Sequence, residues 1–325
     1  MRGIRLGVMI GLGVIAGALG VVPPAVADSA PRVQPLVQSP AAIRAYWTGA
    51  RMRDAKPADA IPGSPLQPTG GAAVTSAAKR SSLHERVTKT NSYPNRTDGK
   101  VFFTLPGGPP DGGDYVCSGT AVRSPGRSLV WTAGHCVFDP GEMGVLGAGY
   151  ATHWEFVPAY NGGKKPFGEW PATSLATTQQ WHGTGPLNGG NSAFDFGAAT
   201  VAPRGGKLLQ DRIGARRLAF SYTRNQTYTA FGYPAEQPPP EFDGQHLFKC
   251  RSPYRGSDDR VGPPPAIRIS CDMTGGSSGG GWIIRRDGTG YVASVTSYGY
   301  SNDPNGLYGP YQGNVARSLA RSAGG

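Results

Sequence analysis

Three residues of this 325-residue chain have the types that an acyl-transfer site needs: Ser278, His135 and Asp195. Ser278 stands in Thr274-Gly275-Gly276-Ser277-Ser278-Gly279-Gly280-Gly281-Trp282. A serine hydroxyl attacks a carbonyl only when a base takes its proton and donors receive the oxyanion that forms. Glycines ahead of it let the backbone aim amide N–H groups into a cavity, and glycines after it let a substrate approach. His135, in Thr132-Ala133-Gly134-His135-Cys136, closes an apolar run; His84, His153, His182 and His246 lie in loop-like surroundings. Asp195 sits in Ser192-Ala193-Phe194-Asp195-Phe196-Gly197-Ala198, where a carboxylate is costly to bury without a partner. Taken singly, each has a plainer reading: a glycine-rich loop, a structural histidine, an acid capping a turn. Their meaning depends on one another.

The elements that would position them are short. Gly 50 and Pro 30 make up about a quarter of the chain, which argues against long helices and coiled coils. Apolar runs between turn signals read as strands: Val101 to Phe103, Tyr115 to Val122, Ser128 to Thr132, Phe194 to Val201, Tyr228 to Gly232, Ala266 to Cys271, Gly281 to Ile284 and Tyr291 to Tyr298. Val315 and Leu319, four apart, predict a short C-terminal helix. Trp 6, Tyr 14 and Phe 11 suffice for a sizeable core.

The N-terminus reads as an export signal over residues 1–27: Arg2 and Arg5, an apolar run from Leu6 to Val22, then Ala25-Val26-Ala27 as a small-x-small cleavage site. Residues 28–89, rich in Ala, Pro and Ser, read as a pro-segment or disordered spacer, with cut points near Lys79-Arg80, Arg86 or Lys89. Residues 1–89 hold eleven Lys/Arg against four Asp/Glu, most of the formal charge of +11. Without a basic stripe interleaved with aromatics, no nucleic-acid partner is expected. The mature chain is expected to be a secreted, extracellular monomer without a membrane segment. Cys117, Cys136, Cys250 and Cys271 allow three pairings, and an exported chain favours disulfides. Local pairing would close two loops of about 20 residues, each worth roughly 3 kcal/mol. A zinc site lacks both C-x-x-C spacing and a histidine cluster, so no metal or cofactor is expected.

Chain order separates the hydrolase classes. Gly276-x-Ser278-x-Gly280 also fits the nucleophile elbow of α/β-hydrolases, which needs a histidine after the serine, but none follows His246. The order His135, Asp195, Ser278 is that of the chymotrypsin-type proteases; subtilisin-type enzymes run Asp, His, Ser. Cys117-Ser118-Gly119, Thr132-Ala133-Gly134-His135-Cys136, Phe194-Asp195-Phe196-Gly197 and Gly276-Ser277-Ser278-Gly279-Gly280 together resemble the chymotrypsin-like serine endopeptidases, in the secreted bacterial branch that includes glutamyl endopeptidases. The resemblance covers roughly residues 99–320.

That resemblance implies an all-β fold of two antiparallel six-stranded barrels, about 99–200 and 201–312, within a peptidase domain of 90–325, with the site in the cleft between them. It implies a Ser278 nucleophile, a His135 base, an orienting Asp195, an oxyanion hole from the Gly276 and Ser278 backbone N–H groups, and a protein or peptide substrate. It implies a Cys117–Cys136 disulfide, which leaves Cys250 to Cys271. Asp272, six residues before the nucleophile, stands where trypsins place the acid that binds Lys or Arg, so a basic residue before the cut bond (P1) is one expectation. Ser297 and Gly299 are expected in the pocket wall. Ser277 replaces the aspartate of animal trypsins, and Thr296 the histidine of glutamyl endopeptidases. A catalytically dead binding protein and an esterase on the same scaffold are the alternatives.

Overall fold

The computed structural model describes Gly3 and residues 30–58, 82–105, 113–140, 149–183 and 191–324. The export signal, apart from Gly3, and the Lys79-Arg80 pair lie outside the described residues. Six strands close a first barrel, in the order Trp170–Thr177, Gly197–Val201, Leu129–Thr132, Asp114–Val122, Asp98–Thr104 and Thr152–Pro158, the last pairing back onto the first. A second sheet runs Thr289–Val295, Gly281–Arg286, Thr227–Gly232, Phe248–Asp258, Ala266–Ser270 and Asp303–Gly309, with every neighbouring pair antiparallel. Its two ends meet where a Cβ placed on Gly309 would stand 2.3 Å from the Val295 carbonyl. The expected all-β architecture is therefore present. Both expected disulfides are formed, Cys117–Cys136 and Cys250–Cys271.

Large apolar side chains fill the barrels, with Trp131, Trp154, Trp170, Trp181 and Trp282 all fully buried. The strands missing from the sequence reading are instructive. Phe248–Asp258 alternates buried and exposed positions along a charged, proline-containing stretch, so no apolar run marks it. Phe194, read as the start of a strand, lies in a 3-10 turn, Ser192–Phe194; the strand begins at Gly197. The C-terminal helix, Asn314–Gly324, buries Ala316, Leu319 and Ala323 rather than pairing Val315 with Leu319. It returns to the first barrel, where the Ala323 carbonyl accepts from Thr200 Oγ1.

Residues 30–58 are folded against the first barrel. Arg32–Pro35 pairs along Trp170–Thr177, and Lys56–Pro57 runs parallel to Asp114–Val122. Two short helices lie between, Pro40–Tyr46 and Gly49–Asp54, started by Ser39 and Thr48, whose hydroxyls accept from the N–H groups of Ala42 and Arg51. Ile43, Trp47 and Met52 are buried beneath them. His84–Arg86 instead adds to the second sheet, pairing with Phe248–Cys250.

Candidate active site

Register brings the chemistry to one place. In the first barrel Gly197 pairs with Thr132, so Asp195 (two residues before) and His135 (three beyond) leave the sheet at the same edge. In the second, Gly281 pairs with Val295, and Ser278 and Ser297 leave together in the same way. The two edges face one another.

His135 occupies a 3-10 turn, Gly134–Cys136, anchored by the Cys117–Cys136 bridge. Asp195 is fully buried, and its carboxylate receives three donors. The His135 backbone N–H reaches Oδ1 at 2.9 Å, while His135 Nδ1 at 2.8 Å and Ser297 Oγ at 2.6 Å reach Oδ2. Since a carboxylate only accepts, His135 carries a ring hydrogen on Nδ1, which in the neutral ring puts the lone pair that a base requires on Nε2.

Ser278 lies on a tight turn in which the Gly280 N–H meets the Ser277 carbonyl. Gly276 and Gly279 have φ of 89° and 79°, conformations that side-chain-bearing residues avoid. A Cβ on Gly279 would stand 2.0 Å from Thr132 Oγ1 and 2.9 Å from the Ala133 nitrogen, so this loop lies directly on the strand end that leads to His135. Ser118, from the first barrel, fixes the loop: its N–H donates to the Ser278 carbonyl at 2.7 Å and its hydroxyl to the Gly276 carbonyl at 2.8 Å. The same hydroxyl accepts from the Tyr233 N–H. This supporting role had no sequence signal beyond adjacency to Cys117. Ser278 and His135 are both buried, in a site shielded from bulk water.

Beside the Ser278 loop opens a cavity of about 740 Å3 lined by Asp272 to Gly275, Gly299 to Ser301, Asp303 to Leu307, and by His84, Glu236 and Glu241. Gly299 and Asp272 are in its wall. Ser297 is not: its hydroxyl is spent on Asp195, and it does not line the cavity. Thr296 points into the second barrel, where its Oγ1 accepts from Trp282 Nε1 at 3.0 Å. Across the cleft Lys100, almost fully buried, donates to the Gly244 carbonyl and so holds the loop that carries Glu241 and Phe242. Burial pulls the Lys100 ammonium down to about 7, with Asp243 opposing.

Protease Anisep from Arthrobacter nicotinovorans superimposes with a TM-score of 0.63, is 36% identical, and the match covers 74% of this chain and 99% of that one. The chain belongs to the chymotrypsin-like serine protease family. The thermostable serine protease AL20, from an extremophilic microorganism, is also 36% identical, with a TM-score of 0.61 over 70% of this chain and 97% of its own. A Glu endopeptidase in complex with MPD shares the fold at 17% identity, with a TM-score of 0.56 over 75% of this chain and 97% of that chain. No family model matches the chain, and no curated protein sequence does. As a serine endopeptidase, the protein is a hydrolase that takes peptide substrates. No helix among the described residues is long and apolar enough to cross a membrane.

Proposed function

We propose that this serine protease hydrolyses peptide bonds through Ser278, His135 and Asp195. The observation that carries the reading is the doubly bonded pair of Asp195 and His135, which fixes the imidazole tautomer beside the Ser278 loop. Ser278 Oγ attacks the carbonyl carbon as His135 Nε2 takes its proton. His135 then returns that proton to the leaving amine, while Asp195 stabilises the imidazolium. The Gly276 and Ser278 N–H groups receive the oxyanion, and water deacylates the enzyme by the reverse sequence. Because Ser278 is buried, the walls of the cleft must part to admit an acyl group.

The pocket favours a cationic P1 side chain. Glu236, Glu241 and Asp272 line it, with no lysine or arginine among the described lining residues, while Asp303, also in the wall, is paired with Arg268. We further read the protein as an exported, extracellular monomer whose signal is residues 1–27. Maturation at Lys79-Arg80 would preserve the strand His84–Arg86, whereas cutting at Arg86 or Lys89 would sever it from the protease body.

A serine-directed phosphonofluoridate followed by peptide mapping tests the reading. Label should appear on Ser278 and vanish in His135→Ala, and a peptide library should be cut after Lys or Arg. Label elsewhere, or an active Ser278→Ala variant, would refute it.

A further inference from the structure

His84 belongs to none of the motifs above, yet it lies in the pocket wall. The strand His84–Arg86 sets it opposite Cys250. Its side chain, 7% exposed, is packed against Phe242 and Phe248, with ring centroids 4.4 and 5.4 Å away. Its Nδ1 lies 3.0 Å from Asp272 Oδ2 and its Nε2 lies 3.2 Å from Glu241 Oε1. The Leu83 N–H donates to the same Asp272 oxygen at 3.1 Å, and the other oxygen faces the disulfide, 3.9 Å from Cys250 Sγ. Neither carboxylate has a hydrogen to give, so both ring contacts are hydrogen bonds together only when both nitrogens carry one. The ring is thus set between two acids, one at each nitrogen.

Building on the pocket assignment in the proposed function, we infer that His84 is a specificity-determining residue, which tempers selection for Lys and Arg by occupying the Asp272 oxygen that a cationic side chain would otherwise use. A cation entering the pocket meets an acid oxygen already engaged by the Leu83 N–H and the His84 ring. The discrimination left to it comes from the remaining field of Glu241, Glu236 and Asp272. A ring that only filled space between Phe242 and Phe248 would have no influence on charge selection, which separates the two roles.

The experiment measures kcat/KM on paired peptides that differ only in P1 arginine against citrulline, its neutral isostere. His84→Phe keeps a ring between the two phenylalanines and removes both nitrogens; His84→Asn keeps a donor for Asp272. The arginine-to-citrulline ratio should rise about tenfold in His84→Phe, the worth of one hydrogen bond to a charged group. It should stay near the wild-type value in His84→Asn and fall in Asp272→Asn. A wild-type preference for arginine that His84→Phe leaves unchanged or lowers overturns the inference alone. A ratio of one in wild type, His84→Phe and Asp272→Asn alike overturns the pocket assignment with it. If His84→Phe does not fold, His84→Ala carries the same comparison.

Discussion

Among the wholly buried carboxylates of the described residues, Asp195 and Glu155 have opposite surroundings. Asp195 receives three donors, one from the backbone, one from an imidazole and one from a hydroxyl of the other barrel. Glu155, on the strand Thr152–Pro158, has neither carboxylate oxygen hydrogen-bonded. Burial raises Glu155 from 4.5 to about 8, with Glu169 adding to the effect against Lys165, Arg44 and Arg204. At neutral pH it is largely uncharged, and the barrel tolerates it as a neutral acid. Burial alone therefore does not mark a working acid. What distinguishes Asp195, the acid of the proposed triad, is three donors on its two oxygens, supplied by segments that only the tertiary fold assembles.

The sharpest test of that contrast is removal of the groups Asp195 serves. Ser278→Ala or His135→Ala should lower kcat by about 10^6, since members of such a unit fail together. An intact, folded variant with substantial peptide hydrolysis would end the reading. Asp195→Asn should lower kcat by about 10^4, by disturbing the tautomer that puts the basic lone pair on Nε2. Glu155→Gln should leave kcat alone and change stability. Because the Glu155 pKa is raised on folding, the stability associated with it is complete below 4.5 and lost as pH rises through 8. The variant should therefore gain on the order of 2–3 kcal/mol over wild type near pH 7.5, and nothing near pH 4. Thermal melts at the two pH values read this difference, and an equal gain at both would show that charge is not the cause. The smallest effect is expected for Ser297→Ala, which removes one of three donors to Asp195 and should cost about tenfold in kcat with KM unchanged. A KM change in its place would return Ser297 to the pocket wall.

The same contrast explains what could be read from the sequence. The surroundings of Ser278 and His135 were legible because close backbone approach writes itself into consecutive glycines and small residues. Asp195 stood out as an acid in an apolar run, although Glu155, between Trp154 and Phe156, sits in an equally apolar setting and has a different fate. The partners that decide between them are remote: Ser297 lies 102 residues from Asp195, and His84 lies 188 from Asp272. No local pattern encodes such pairs. Residues 30–58 hid for a related reason. Ile43, Trp47 and Met52 are too sparse to form a run, and gain their significance only from the barrel surface they cover.

The upstream chain touches the molecule in two separate places, through residues 30–58 on the first barrel and His84–Arg86 on the second. While the backbone between them is whole, the first of these is held at a high effective concentration. A single proteolytic nick between residues 58 and 82 would turn that contact into a bimolecular one, governed by its own dissociation constant. Dilution alone would then strip the Ile43, Trp47 and Met52 cover from the first barrel, so a nicked preparation should lose heat resistance as it is diluted, whereas the uncut chain should not.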